Sequence, residues 1–297
     1  MIQKHGDAIG YLMDYKDGRI KQGLGIGSPL DKWIRHKPSE MTIILGHDNV
    51  GKTYITTWYF LCLALVNDLQ FCLWSGENQK GQMMRDMIQM LRGVPFKNLT
   101  HTEITQTYNF LEGYFLFVDN KRLYKPDDLL NIFEESGSDV CLIDPFTGLD
   151  RDMNYEANYR FLNSARHFCN STGKSLYINT HPVSESGRAG NIYTEGDWKG
   201  HLKAPLKSHI EGGKSFINRC DNMWTVHRLI SHKTMKYYTM ISVEKIKDLE
   251  TGGKHTPLNE PVLADFNRGL GFTIGGVDAL SEIRKTIFKT VKIKPLL

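Results

Sequence analysis

Eight residues, Gly46-His47-Asp48-Asn49-Val50-Gly51-Lys52-Thr53, constrain this chain more than any others. They spell GxxxxGK followed by a hydroxyl residue. The apolar run Met41–Leu45 precedes them directly, and a helix-competent stretch, Thr53–Asn67, follows. In a strand–loop–helix setting the glycines let the backbone fold so tightly that successive N–H groups point at phosphate oxygens, and the helix adds its N-terminal dipole. Gly46, Asn49, Val50 and Gly51 supply the cradle, Lys52 can reach the outer phosphates, and the Thr53 hydroxyl can ligate Mg²⁺. The motif predicts a nucleoside-triphosphate site.

Further apolar, β-rich runs recur at Phe71–Trp74, Tyr114–Val118, Val140–Ile143, Leu176–Asn179, Met223–His227 and Tyr237–Val243. Helix-length segments separate the early ones, among them Gly81–Arg92, Pro126–Ser136 and Tyr155–Asn170. Continuous apolar strands alternating with helices predict an α/β fold with a mostly parallel central sheet covered on both faces. After about residue 222 the strands follow one another closely, with turn signals at Gly252-Gly253 and Asn267-Arg268-Gly269, so the sheet is expected to finish in hairpins. Residues 1–35, Gly-rich and polar, read as an arm or linker. Residues 36–283 read as the ATPase domain, and 284–297 as a basic tail.

Composition narrows the class of protein. Of 297 residues, 40% are hydrophobic and 24% charged, enough apolar material for a core and against intrinsic disorder. The longest apolar run, Ile55–Val66, is well short of the ~20 residues that span a bilayer. The first ten residues carry Lys4, His5 and Asp7 and no apolar stretch, so a cytoplasmic protein without membrane partners is expected. Five scattered cysteines without a CxxC pair argue against a disulfide framework and a zinc site. The net charge of +4 sits in the tail: Arg284, Lys285, Lys289, Lys292 and Lys294 leave 32 basic against 33 acidic residues elsewhere. Any affinity for nucleic acid must therefore come from local patches.

Three strand ends carry further chemistry. Glu77 follows Trp74-Ser75-Gly76, beyond the carboxyl edge of a parallel strand, where ligands of open α/β sheets bind. There it can orient and deprotonate the water that attacks a γ-phosphate. Asp144 ends Val140-Cys141-Leu142-Ile143, the pattern of a carboxylate that holds Mg²⁺ through its water shell. Asp150 and Asp152 read as solvated loop charges. Thr180-His181 end the next strand, where a polar pair can touch the γ-phosphate.

In this order the strand ends resemble the helicase domain of DnaB/Twinkle-type hexameric replicative helicases, including those of phage primase–helicases, over about Leu30–Phe272. GHDNVGKT, SGEN, CLID and NTH each match a family motif. So do Ile210–Phe216 with Cys220-Asp221-Asn222, similar to a DNA-facing loop leading into a helix. Val243–Lys247 before Thr251-Gly252-Gly253 is similar to a hairpin that reaches the neighbouring subunit's ATP. The resemblance implies a RecA-like fold, ATP or dTTP with Mg²⁺, a catalytic Glu77, a phosphate-sensing His181, and Lys245 and Lys247 acting in trans. The family's trans arginine falls on Lys247, which lacks the bidentate fork. Lys245 and Lys247 act as a lysine finger, Arg268 substitutes, or hydrolysis is slow. The basic tail also departs from the acidic one expected of phage relatives.

Pore-lining loops of such rings follow the sensor strand, here Pro182–Lys214. A loop of this length is uncommon unless functional or disordered. It contains Arg188, Lys199, Lys203, Lys207 and Lys214 as candidate DNA contacts, with Tyr193 and Trp198 interspersed and Glu185, Glu195, Asp197 and Glu211 diluting the charge. Trp198 either stacks on a base or anchors the packing. The function expected is an ATP-dependent ring helicase that translocates on single-stranded DNA in phage replication, within the bacterial host cytoplasm. Its expected partners are copies of itself and a primase, polymerase or single-strand-binding protein. The alternatives are a RecA-like, ATP-switched filament protein that does not unwind, and a KaiC-like signalling ATPase.

Overall fold

In the computed structural model, which describes residues 6, 8–152, 154–183 and 191–290, five strands are buried at every position. They are β1 (Met41–Leu45), β2 (Phe71–Ser75), β4 (Val140–Asp144), β5 (Ser175–Thr180) and β6 (Asn222–His227). Short β3 (Phe115–Phe117) and the later strands β7 (Tyr238–Lys245), β8 (Val262–Phe266) and β9 (Phe272–Ile274) complete one sheet. Its order is β3-β2-β4-β5-β1-β6-β7-β8-β9. The pairs from β3 to β6 are parallel, and those from β6 to β9 antiparallel. The expected α/β architecture, with hairpins at its end, is the one observed.

The continuous apolar strands follow from burial on both faces. Alternate residues of a strand point to opposite sides. Ile44, Leu73, Leu142 and Tyr177 therefore pack with helices α2 (Lys52–Asn67), α3 (Lys80–Arg92) and α4 (His101–Glu112). Ile43, Trp74, Ile143 and Ile178 pack with α5 (Pro126–Glu135), α6 (Tyr155–Thr172) and α7 (Lys214–Arg219). α2 is buried nearly all round, which explains its unbroken apolar sequence. All five cysteines are buried free thiols.

Both ends of the chain differ from a plain arm and tail. Helix α1 (Ile9–Lys16) buries no residue. Yet Ile26, Leu30 and Ile34 lie in the main core, and Leu24 pairs with His36. Helix α8 (Ser281–Thr290) carries Arg284, whose guanidinium caps the carbonyl of Met90 and pairs with Asp278. The tail lysines Lys292 and Lys294 lie outside the described residues, as does the loop candidate Arg188. No helix among the described residues is long and apolar enough to cross a membrane.

Candidate nucleotide site and nucleic-acid interface

Parallel pairing brings the carboxyl ends of β1, β2, β4 and β5 to one edge of the sheet. The loop leaving β1 turns through Gly51, whose φ of 86° is left-handed and leaves the backbone free to enter α2 at Lys52. A cavity of about 410 Å³ opens there, lined among others by Asn49, Lys52, Thr53, Glu77, Asp144 and His181. Four separate segments of sequence thus meet at one place.

The geometry is that of a charged site held ready. The Lys52 ammonium donates to the carbonyls of Gly46 and His47 at 2.7 and 2.9 Å. Burial lowers its pKa to about 8, against the pull of Asp144, Asp48 and Glu77. Asp144 is fully buried, and burial raises its pKa. Three neutral groups oppose that rise: Thr53 Oγ1 at 2.8 Å, Asn179 Nδ2 at 2.7 Å and, more weakly, Ser75 Oγ at 3.4 Å. His181 Nδ1 lies 3.2 Å from Lys52 Nζ and 2.7 Å from Asp48 Oδ1, so one tautomer accepts from the ammonium and the other donates to the carboxylate. Burial and Lys52 both lower the His181 pKa. Glu77 stands exposed at the cavity wall.

A divalent cation fits this donor set. The carboxylate of Asp144 and the hydroxyl of Thr53 are hard oxygen ligands within hydrogen-bond distance of each other, and no side-chain cation forms an ion pair with that carboxylate among the described residues. Nor do those residues include a cluster of three or more His, Cys, Asp and Glu that could cage a metal. Few protein ligands, with water completing the shell, is the habit of Mg²⁺. Asn179 and Asp48, which tie down Asp144 and His181, are the members of the site that sequence reasoning passed over. The Asn179 contact follows from β4 lying beside β5, and sheet order is not written in local sequence.

The remaining candidates separate into two groups. β7 runs antiparallel to β6 with Lys245 opposite Met223 and Met240 opposite His227. Lys245 and Lys247 therefore lie at the end of the sheet away from their own phosphate loop. Lys245 Nζ donates to the carbonyls of Ile217 and Cys220, both at 2.6 Å, closing the end of α7. Lys247 Nζ, 57% exposed, meets Asp221 Oδ1 at 2.9 Å; Asp221 is 1% exposed, accepts from Met41 N and also pairs with Arg166. Arg268 sits in the β8–β9 turn with a left-handed φ of 44°, at the same end as the phosphate loop, near which Tyr54 packs on Phe266 at 5.5 Å.

The lysine-rich loop is closed at its base by the bridges Pro182–Ile210 and Ile192–Leu202. Lys199, Lys203, Lys207 and Lys214 are exposed. Trp198 packs edge-on against Tyr193 at 5.2 Å, and Lys203 lies 5.8 Å above that tyrosine, so this tryptophan is a packing anchor. Two contacts join the loop to the phosphate end. Glu211 N donates to the carbonyl of His181 at 3.0 Å, and His227 Nε2 lies 2.9 Å from the carbonyl of Leu202.

No known protein family profile matches this sequence, and no curated protein does. Solved structures do. The ATPase domain of a helicase superposes with a TM-score of 0.71 over 92% of this chain and 99% of its own, at 12% identity. A DnaB-like replicative helicase, described with its interactions with primase, gives 0.70 over 91% of this chain and 68% of its own, at 11% identity. The chain has the RecA-like fold of these helicase ATPase domains.

Proposed function

We propose that this chain is the motor domain of an ATP-driven DNA helicase that translocates on single-stranded DNA as a ring of identical subunits. The observation that carries the proposal is the convergence of Lys52, Thr53, Glu77, Asp144 and His181 on one cavity at the carboxyl edge of the sheet. Lys245 and Lys247, at the opposite edge, can serve only another molecule's nucleotide. In this reading Lys52 neutralises the outer phosphates, and Glu77 aligns the attacking water and takes its proton. Thr53 and Asp144 hold Mg²⁺, which when bound would offset charge on the phosphate oxygens. His181 passes the state of the γ-phosphate to Glu211 through its own carbonyl. The exposed lysines Lys199, Lys203, Lys207 and Lys214 then track the DNA backbone.

The same reading assigns residues 36–283 to the motor, α1 to contact with a neighbouring copy, a primase as partner, and phage replication in a bacterial cytoplasm as the setting. The ATP-switched filament remains the second reading. Lys247 favours it, being held on Asp221 and lacking a guanidinium fork. Steady-state ATPase assays with and without single-stranded DNA test the proposal. Hydrolysis stimulated by DNA and abolished by Lys52→Ala and by Glu77→Gln is expected. Undiminished turnover in both variants would sink the motor reading, and DNA binding in ATP without stimulated turnover would select the switch.

A further inference from the structure

A second feature at the carboxyl edge lies outside the residues assigned so far. The chain leaving Asp144 makes a short turn at Phe146–Gly148 and reaches α6 through Arg151 and the capping residue Asn154. There a cleft of about 260 Å³ opens between Arg151, Tyr155 and Asn158 on one side and Glu211, Gly212 and Gly213 on the other. Its two walls continue directly into the nucleotide site. Phe146 is two residues beyond Asp144, and Glu211 N is bonded to the His181 carbonyl.

The cleft is built. The Arg151 guanidinium lies 4.2 Å over the Phe146 ring, and its Nη1 donates to Asn158 Oδ1 at 3.0 Å. Gly212 is left-handed at φ 95°, and a Cβ there would come within 2.6 Å of Phe216 and 2.9 Å of Asn158. Any side chain at that position would collide with the wall. At Gly213 the nearest atom to a Cβ is Tyr155 Cδ2, at 4.0 Å, so the tyrosine ring lies beside bare backbone.

Tyr155 is 61% exposed. It is the outer end of a column. Its ring stacks on Tyr159 with 6.1 Å between centroids and 21° between planes, and the Arg219 guanidinium covers Tyr159 at 4.7 Å and bonds its hydroxyl. The inner members are locked, and the outer face of Tyr155 carries the stack to solvent. Cations and acids are both present around it: Arg151, Arg160 and Lys214 face Glu156 and Glu211, with Arg160 paired to Glu156 at 3.2 Å.

We infer that this cleft binds one base of a nucleic-acid single strand, stacked on Tyr155, with Arg151 meeting the adjoining phosphate. The inference rests on the helicase reading and adds a contact to it. Aromatic faces beside a cation are how proteins hold single strands without reading sequence. The cleft is smaller than the ~300–1,000 Å³ of sites for larger ligands, which suits a single base.

The test is fluorescence anisotropy of a labelled oligo-dT strand with the full chain in a non-hydrolysable ATP analogue. Tyr155→Ala is expected to weaken binding by about fivefold or more, and Tyr155→Phe to keep it within about twofold. Arg151→Gln should lower the slope of log affinity against log salt by about one. Nucleotide affinity, read with a fluorescent analogue, should stay constant in all three. Tyr155→Ala binding like the wild type, while Lys199→Ala and Lys203→Ala weaken it, would overturn the cleft and leave the helicase reading standing. A wild-type chain that binds no strand overturns the helicase reading, and the cleft with it.

Discussion

Lys52 and Asp144 are opposite charges placed where neither is well hydrated, and each is held by neutral groups in reach. For Lys52 the consequence is a pH dependence with a definite sign. Its folded pKa, about 8, lies below the ordinary 10.5. Between those values the unfolded chain keeps the proton that the folded chain has shed, so this lysine costs stability at neutral pH, and the cost fades as pH rises from about 8 to 10.5. Phosphate binding needs the charged form. The affinity for ATP is therefore expected to fall as pH rises through about 8, by up to about tenfold per unit. A fluorescent-nucleotide titration from pH 7 to 9.5 measures it, and Lys52→Arg, charged throughout, should flatten the profile. A wild-type profile as flat as that of the arginine variant would remove Lys52 as the phosphate-binding cation. Lys52, Thr53 and Asp144 were legible in the sequence because loop spacing and strand-end position are local signals. Asn179, Asp48 and the Asp221 that holds Lys247 were not, since each acts on a partner brought close only by strand order.

Among the elements, the strands were the most legible, because burial on both faces leaves an unbroken apolar run that no helix of this fold except α2 shares. Helix α4 was missed for the converse reason: it buries only Thr107 and Leu111 and shows no apolar stripe. Its start was nonetheless written in Thr100-His101-Thr102-Glu103. Thr100 and Glu103 cap each other, with the Glu103 carboxylate accepting from Thr100 N at 2.9 Å. The arm drawn to residue 35 extended too far because Ile26, Leu30 and Ile34 are spaced by four and lie among glycines, a pattern without strand or amphipathic-helix period over its length. At this scale Lys245 has a structural task that can be separated from any catalytic one. α7 has six residues and ends on carbonyls that the Lys245 ammonium satisfies. Lys245→Met should cost about 1–3 kcal/mol, because it removes two charge-assisted bonds. Chemical denaturation of the chain without nucleotide measures this, and an unchanged midpoint would free Lys245 for a role in trans.

For the whole molecule, the sheet sets the geometry of assembly. Its parallel half gathers the nucleotide groups at one edge, and the antiparallel return of β7 carries Lys247 to the other. A subunit that contributes to hydrolysis from both edges must meet unlike edges of its neighbours, which is head-to-tail contact, and such contact closes into rings or runs on as filaments. The two edges can be disabled separately. Lys52→Ala leaves the Lys247 edge intact, and Lys247→Ala leaves the phosphate loop intact. If Lys247 acts on a neighbour, each variant alone is inactive, while an equal mixture restores activity wherever an intact loop faces an intact lysine. Random mixing makes that about one interface in four. The recovered ATPase should therefore approach about a quarter of the wild-type rate after subunits are allowed to exchange. If Lys247 serves only to neutralise the buried Asp221 of its own chain, Lys247→Ala retains turnover by itself, and mixing yields no more than the average of the two. Rings and filaments share this result, so it tests the direction of contact before the form of the assembly.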